Sequence, residues 1–187
     1  MKKITIVYHS GYGHTKIQAE HVLKGASSVA GVSATLITSD DAIKDMTPLN
    51  EADAIIFGCP TYMGGASAQF KTFIDAASKI WFQQGWKNKL AAGFTNSGSP
   101  SGDKFSTLQT LFTNAMQHSM IWISLGVING AKEAGDTEAL NRLGAYSGAM
   151  SQSPQGASSP IEADLKTAEE LGKRVAHAAL AWDGSQM

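Results

Sequence analysis

Val7-Tyr8-His9-Ser10-Gly11-Tyr12-Gly13-His14-Thr15 is the stretch on which the fold turns. Ahead of it stands a β-branched run, Ile4-Thr5-Ile6-Val7. Behind it comes a helical pattern, with Ala19, Val22, Leu23 and Ala26 on one face and Lys16, Glu20 and Lys24 on the other. A strand that breaks through a glycine- and hydroxyl-rich turn into a helix start makes an anion site. The first helical N–H groups lack intrahelical partners, and the helix dipole is positive there. Ser10 and Thr15 add hydroxyls, while Gly11 and Gly13 allow close backbone approach. No Lys or Arg stands between Tyr8 and Thr15, so a phosphate here is held by dipoles and hydrogen bonds. A ligand-free turn of the same composition is the competing reading.

Three other phosphate-binding patterns do not fit. A dinucleotide fingerprint needs a third glycine where Lys16 stands, and the Gly-Lys-Ser/Thr ending of a Walker loop is absent here and around Gly98 to Lys104. A phospho-receiver domain places its aspartate at the end of the third strand, whereas Asp53 precedes the run Ala54 to Gly58. A mononucleotide remains.

The rest of the chain alternates strand with helix. Val32 to Ile37 reads as a second strand, followed by a polar connection from Ser39 to Asn50 with room for one short helix. Ala54 to Gly58 is a continuous apolar run, as for a central parallel strand covered on both faces. Phe70, Phe73, Ile74 and Ala77 stripe a helix, Leu90 to Phe94 is a fourth strand, Leu108, Leu111, Phe112 and Ala115 stripe another helix, and Met120 to Leu125 is a fifth strand. Ser159-Pro160-Ile161-Glu162 reads as a capping box with proline at the first helical position, opening the last helix, lined by Ile161, Leu165, Ala168, Gly172, Val175, Ala176 and Ala179. Residues 129–159 are rich in Gly, Ala, Ser and Gln with little apolar periodicity, and a connection of that length is functional or disordered. The pattern predicts one α/β domain over residues 1–187, a flavodoxin-like five-stranded parallel sheet in the order 2-1-3-4-5 with helices on both faces. In that order three loops meet at the carboxyl edge beside strands one and three. They are the opening loop, Cys59 to Gly65, and Thr95 to Asp103.

With 187 residues the chain is long enough to bury roughly 70% of its unfolded surface without staples. Its net charge of −1, with Lys and Arg scattered, argues against a nucleic-acid surface and against a strongly acidic electron carrier. Cys59 is the sole cysteine, so no intrachain disulfide exists and a reducing compartment fits. The apolar run after Met1-Lys2-Lys3 ends at Tyr8, too short for a signal peptide, and nothing reaches the length of a membrane span, so a cytoplasmic location is expected. His9 and His14 have no Cys or carboxylate at ligand spacing, and no metal is expected.

These pieces, taken in order, resemble the flavodoxin-like NAD(P)H:quinone oxidoreductases of the WrbA type and the wider FMN reductases. Ser10-Gly11-Tyr12-Gly13-His14-Thr15 is similar to the family's FMN-phosphate loop. Gly58-Cys59-Pro60-Thr61 with Ser67 to Asp75 resembles its second flavin loop and following helix, and Lys89 through Gly98, with His118, resembles the third. The resemblance spans the whole chain. It implies one FMN per subunit, with its phosphate at Ser10 to Thr15. The ring would lie between Pro60, Thr61, Tyr62, Met63 and Gly64 on one side and Thr95, Asn96, Ser97, Gly98, Ser99 and Pro100 on the other. It further implies Tyr12 and Trp81 near bound nicotinamide or quinone, His118 approaching the flavin of a neighbouring chain, and a homo-oligomer, dimer or tetramer. Where WrbA-type loops commonly read Pro-Thr-Arg-Phe-Gly, this chain has Pro60-Thr61-Tyr62-Met63-Gly64, so the usual cation and aromatic are replaced.

The resemblance implies an FMN enzyme that passes two electrons from NADH or NADPH to a quinone-like small acceptor. A one-electron flavodoxin carrier and a flavin-free interaction module are the rivals. Within the enzyme reading, His118 is either a proton donor to the acceptor, since imidazole titrates near neutrality, or a structural histidine. Trp81, Phe82 and Trp86 either wall a substrate slot or pack a helix end. Tyr146, the one aromatic in the long segment, is a candidate lid contact, and Asp103 is a ribityl contact or a solvated loop carboxylate.

Overall fold

A computed structural model describes residues 1–133 and 135–184. The chain runs β1 (Lys2–Tyr8), α1 (His14–Ser27), β2 (Val32–Thr38), α2 (Ser39–Lys44), α3 (Thr47–Asn50), β3 (Ala54–Tyr62) and β4 (Gly65–Ala66). It continues α4 (Ala68–Ala76), α5 (Ser78–Phe82), β5 (Leu90–Ser97), α6 (Lys104–Gln117), β6 (Ile121–Trp122), β7 (Ala149–Gln152) and α7 (Glu162–Ala181). The sheet order is β2-β1-β3-β5-β6, with every neighbour pair along it parallel. Setting aside the two-residue β4, this is the 2-1-3-4-5 order that the sequence pattern predicts. Helices cover both faces. One core joins the sheet to α1 and α7 through Ile4, Ile6, Val22, Ile56, Leu171 and Val175, and the other joins it to α4 and α6 through Ile55, Phe57, Phe70, Phe73 and Leu111.

The fifth position of the sheet departs from expectation. Met120 to Leu125 does not form one strand. β6 pairs with β5 only at Leu90 and Ala91, and by Leu125 the backbone N–H donates to Tyr146 O instead, at 3.0 Å. The chain leaves the sheet and returns as β7, which pairs with Phe94 to Ser97 and completes the position in parallel. Gly148 makes this return possible, because a Cβ there would overlap the Gly93 carbonyl. The last helix also starts later than the capping-box reading puts it. Its N-cap is Ile161 with no side-chain cap, and Ser159 Oγ donates to Pro160 O at 3.1 Å.

The second loop is a hairpin, since β3 runs on to Tyr62 and turns back into β4 with Tyr62 opposite Gly65. Both central residues, Met63 (φ 48) and Gly64 (φ 78), sit at positive φ, the arrangement of a type I′ turn, which suits Gly or Asn and penalises an ordinary side chain. Met63 is fully exposed and loses no packing on replacement. Met63→Asn is therefore expected to stabilise the fold by about 0.5–1 kcal/mol, read as a higher thermal midpoint; an unchanged or lower midpoint would count against this account of the turn.

Candidate functional site

The carboxyl ends of β1, β3 and β5 open onto a cleft of about 430 Å³, within the usual size range of small-molecule sites. Ser10, Tyr12, His14 and Thr15 line it from the first loop, Pro60, Thr61 and Tyr62 from the second, and Asn96, Ser97 and Gly98 from the third. Three stretches of sequence far apart along the chain meet here because parallel strands all end on the same edge.

The first loop leaves donors free. Gly13, at φ 90, is the N-cap of α1 and has no side chain with which to cap it. Ser10 Oγ instead accepts from Lys16 N at 3.1 Å, which pulls the loop round the helix start. No acidic residue stands in the first turn and no Lys or Arg lines the cleft, so the helix start itself is the positive pole. The hydroxyl of Tyr62 lies over Gly11, where a Cβ would overlap it, and its ring meets Tyr12 edge to face at 6.1 Å. Tyr12 is 83% exposed at the mouth.

Below the second and third loops a buried hydroxyl chain joins the strands. Thr61 Oγ1 lies 2.9 Å from Thr95 Oγ1 and 2.7 Å from Thr107 Oγ1. Thr95 is therefore a support under the cleft, with no surface on it. Cys59 is buried, and desolvation pushes its thiol up to about 12, so it is protonated and inert at neutral pH. His9, whose pKa burial lowers, bonds through Nδ1 to Ser67 Oγ at 2.8 Å and ties the first loop to the start of α4.

The fourth wall was not legible in the sequence. Ser153, Pro154, Gln155 and Gly156 close the cleft from the stretch after β7, His14 Nε2 lies 2.9 Å from Ala157 O, and Ser151 and Ser153 both donate to Asn96 Oδ1, at 2.8 and 3.0 Å. A polar Ser-Gln-Ser-Pro-Gln-Gly run gives no periodicity by which to place it; only the pairing of β7 does. Lys104, at the start of α6, carries no local sequence signal of its role and is fully buried beneath the third loop.

Several expected residues stand elsewhere. Met63 and Gly64 form the exposed hairpin tip, and Ser99 and Pro100 lie on the outer side of the third loop. His118 is not brought to the cleft. α6 starts beside the cleft, and its 14 residues carry the chain about 21 Å to the opposite sheet edge, where Asn88 N donates to Ser119 O. There His118 is 3% exposed, its ring tilted against Trp86 with centroids 4.4 Å apart, with Nδ1 unpartnered and its pKa lowered to about 4 by burial. At neutral pH it is an uncharged core residue in this chain's own fold. Trp81 also lies away from the cleft, in α5, where it and Phe82 are exposed, while Trp86 packs in the core with Phe57 and Phe73. Among the described residues no group of three His, Cys, Asp or Glu is placed to hold a metal, and no helix is long and apolar enough to cross a membrane.

The model of the NADPH-dependent FMN reductase family matches residues 30–133. Flavodoxin FldP of Pseudomonas aeruginosa (strain UCBPP-PA14) is 42% identical, over 94% of this chain and 96% of its own. Quinone-oxidoreductase QR2 of Triphysaria versicolor is 33% identical over 93% of both chains. The crystal structure of a WrbA-like flavodoxin from Agrobacterium tumefaciens superposes with a TM-score of 0.77 at 42% identity, covering 98% of this chain and 100% of that one. FMN binding is a property that this fold, cleft and family support together. By its sheet order, its glycine-rich first loop and these likenesses, the chain belongs to the WrbA-like branch of the flavodoxin-like FMN reductase family.

Proposed function

We propose that the cleft holds FMN and that the protein is a two-electron oxidoreductase, with NADH or NADPH as donor and a quinone-like small molecule as acceptor. The observation that carries the cofactor placement is the start of α1, where a side chain takes only the Lys16 N–H and the helix faces a cleft with no Lys or Arg. The phosphate is satisfied there by first-turn N–H groups and by the Ser10 and Thr15 hydroxyls. Pro60 to Tyr62 and Asn96 to Gly98 flank the ring. Bound FMN supplies the redox chemistry, accepting a hydride and delivering two electrons, while the protein supplies orientation and electrostatics. Thr61, fixed by Thr95 and Thr107, and Asn96, fixed by Ser151 and Ser153, present oriented polar groups at the ring. Tyr12 and Tyr62 wall the mouth and limit water at the reacting face.

The family model and the quinone-oxidoreductase relative support the enzyme reading, as does a net charge of −1. A one-electron carrier is the second reading, favoured by the flavodoxin name of the 42% identical relative. Anaerobic stopped-flow absorbance separates the two. Bleaching of the flavin band by NADH or NADPH, then rapid return on mixing with benzoquinone, is the expected result. A flavin that neither nucleotide reduces, and that takes up electrons from dithionite at two well-separated potentials, would establish the carrier instead. A homo-oligomer belongs to the same proposal, with the exposed Trp81 and Phe82 covered between copies; a monomeric mass by light scattering at micromolar concentration would remove it.

A further inference from the structure

Lys104 opens α6 yet is fully buried, an expensive place for an ammonium group. Its Nζ donates to Ser97 Oγ at 2.9 Å, Ser99 O at 2.7 Å and Pro100 O at 2.9 Å. These are three acceptors for three ammonium protons, all in the third loop. Ser97 Oγ also donates to Ser99 O, at 3.1 Å, so the lysine closes a compact knot whose inner surface is the Ser97 and Gly98 wall of the cleft. The preceding residues reinforce this placement. Gly102 and Asp103 both sit at positive φ, and a Cβ on Gly102 would overlap Ser97 Oγ, so the chain turns sharply to point Lys104 inward.

We infer that Lys104 is a positioning residue for the flavin, holding the 97–100 loop in the conformation that receives the ring. The inference rests on the FMN placement proposed above. A helix N-terminus is electrostatically the wrong end for a lysine, so packing or helix stability alone does not account for this choice. The bonds to the loop do, because removing the ammonium leaves the Pro100 carbonyl without its donor and Ser99 O with Ser97 Oγ alone. The charged groups facing it are Asp164 on α7, which favours the ammonium, and Arg142, which opposes it. Arg142 Nη2 is itself paired with Asp164 Oδ2 at 2.8 Å. Burial lowers the Lys104 pKa to about 8. Above that pH a neutral amine has two protons for three acceptors, and one loop contact is lost. A purely space-filling side chain shows no such dependence.

The test is FMN affinity, read by quenching of FMN fluorescence on titration with apoprotein between pH 7 and pH 9. The wild-type dissociation constant is expected to rise severalfold across that range. For Lys104→Met it is expected to be about tenfold or more weaker at pH 7 and nearly independent of pH, with Lys104→Arg recovering part of the loss at pH 9 because its charge persists. Amide hydrogen exchange in apoprotein should show residues 97–99 less protected at pH 9 than at pH 7 once intrinsic chemical exchange is corrected, and in Lys104→Met at both. A wild-type protein that fails to bind FMN at pH 7 would defeat the cofactor placement. Normal binding at pH 7 with an affinity constant within twofold to pH 9 would overturn the Lys104 role alone, whether or not the methionine variant folds.

Discussion

Replacing Gly172 with leucine is expected to cost about 3 kcal/mol or more, and Gly172→Ala is expected to destabilise too, against the ordinary preference of a helix for alanine. Gly172 lies in the middle of α7, where a Cβ would overlap the Val22 carbonyl of α1; across the same interface, a Cβ on Gly25 would overlap the Glu169 carbonyl. The two helices therefore meet backbone to backbone at these glycines, and the obstacle is main chain, which has no rotamer into which to retreat. Helix propensity alone predicts a gain of about 1 kcal/mol for alanine at an exposed helical glycine, so the sign of the change separates the two effects. Urea unfolding followed by circular dichroism gives the answer, with a leucine at the exposed position of Lys166 on the same helix as the control. A stabilised Gly172→Ala would mean that α1 and α7 sit farther apart than described. At this chain length about 3 kcal/mol corresponds to a fall of roughly 10 °C in thermal midpoint.

The second large effect is acid destabilisation through His118. Its folded pKa is about 4, against 6.5 for the exposed side chain. Between those values the unfolded chain binds a proton that the folded chain refuses. The stability contributed by keeping the ring neutral is thus complete above about pH 6.5 and is lost as pH falls toward 4. The total is on the order of 3 kcal/mol. Burial against Trp86, with no acceptor or carboxylate at Nδ1, is the cause. His118→Phe retains the ring and removes the titration, so its unfolding free energy should fall much less from pH 7 to pH 4.5 than that of wild type. Parallel losses in the two proteins would show that His118 is solvated or charged in the folded state. The same experiment bears on the neighbouring-chain role that the family resemblance implies for this residue, which requires an imidazole that can reach another subunit.

Read residue by residue, the cleft was legible where local pattern carries the chemistry. Ser10 to Thr15 announce a helix start with free donors, and Pro60 to Tyr62 and Asn96 to Gly98 follow apolar runs whose lengths identify them as parallel strands, so their convergence follows from topology. Lys104 was not legible, because a lysine at a helix start looks solvated until three carbonyl and hydroxyl acceptors are found around it. Ser153 to Gly156 were hidden for a different reason. A four-residue strand, Ala149 to Gln152, has too few positions to show alternation, and its partner lies far back in sequence at Phe94 to Ser97.

The amino-acid sequence by itself determined the elements, their order, the parallel sheet and the anion-binding turn. These depend on side-chain periods of 2 and 3.6 and on glycine and hydroxyl placement, all of which act within a few residues. Tertiary structure alone decided that the fifth strand is built in two pieces, that the returning chain walls the cleft, that His118 is carried to the far edge and that Lys104 turns inward. Each of those depends on which distant backbone groups satisfy one another, and a buried polar group accepts whatever partner the fold brings within hydrogen-bonding reach.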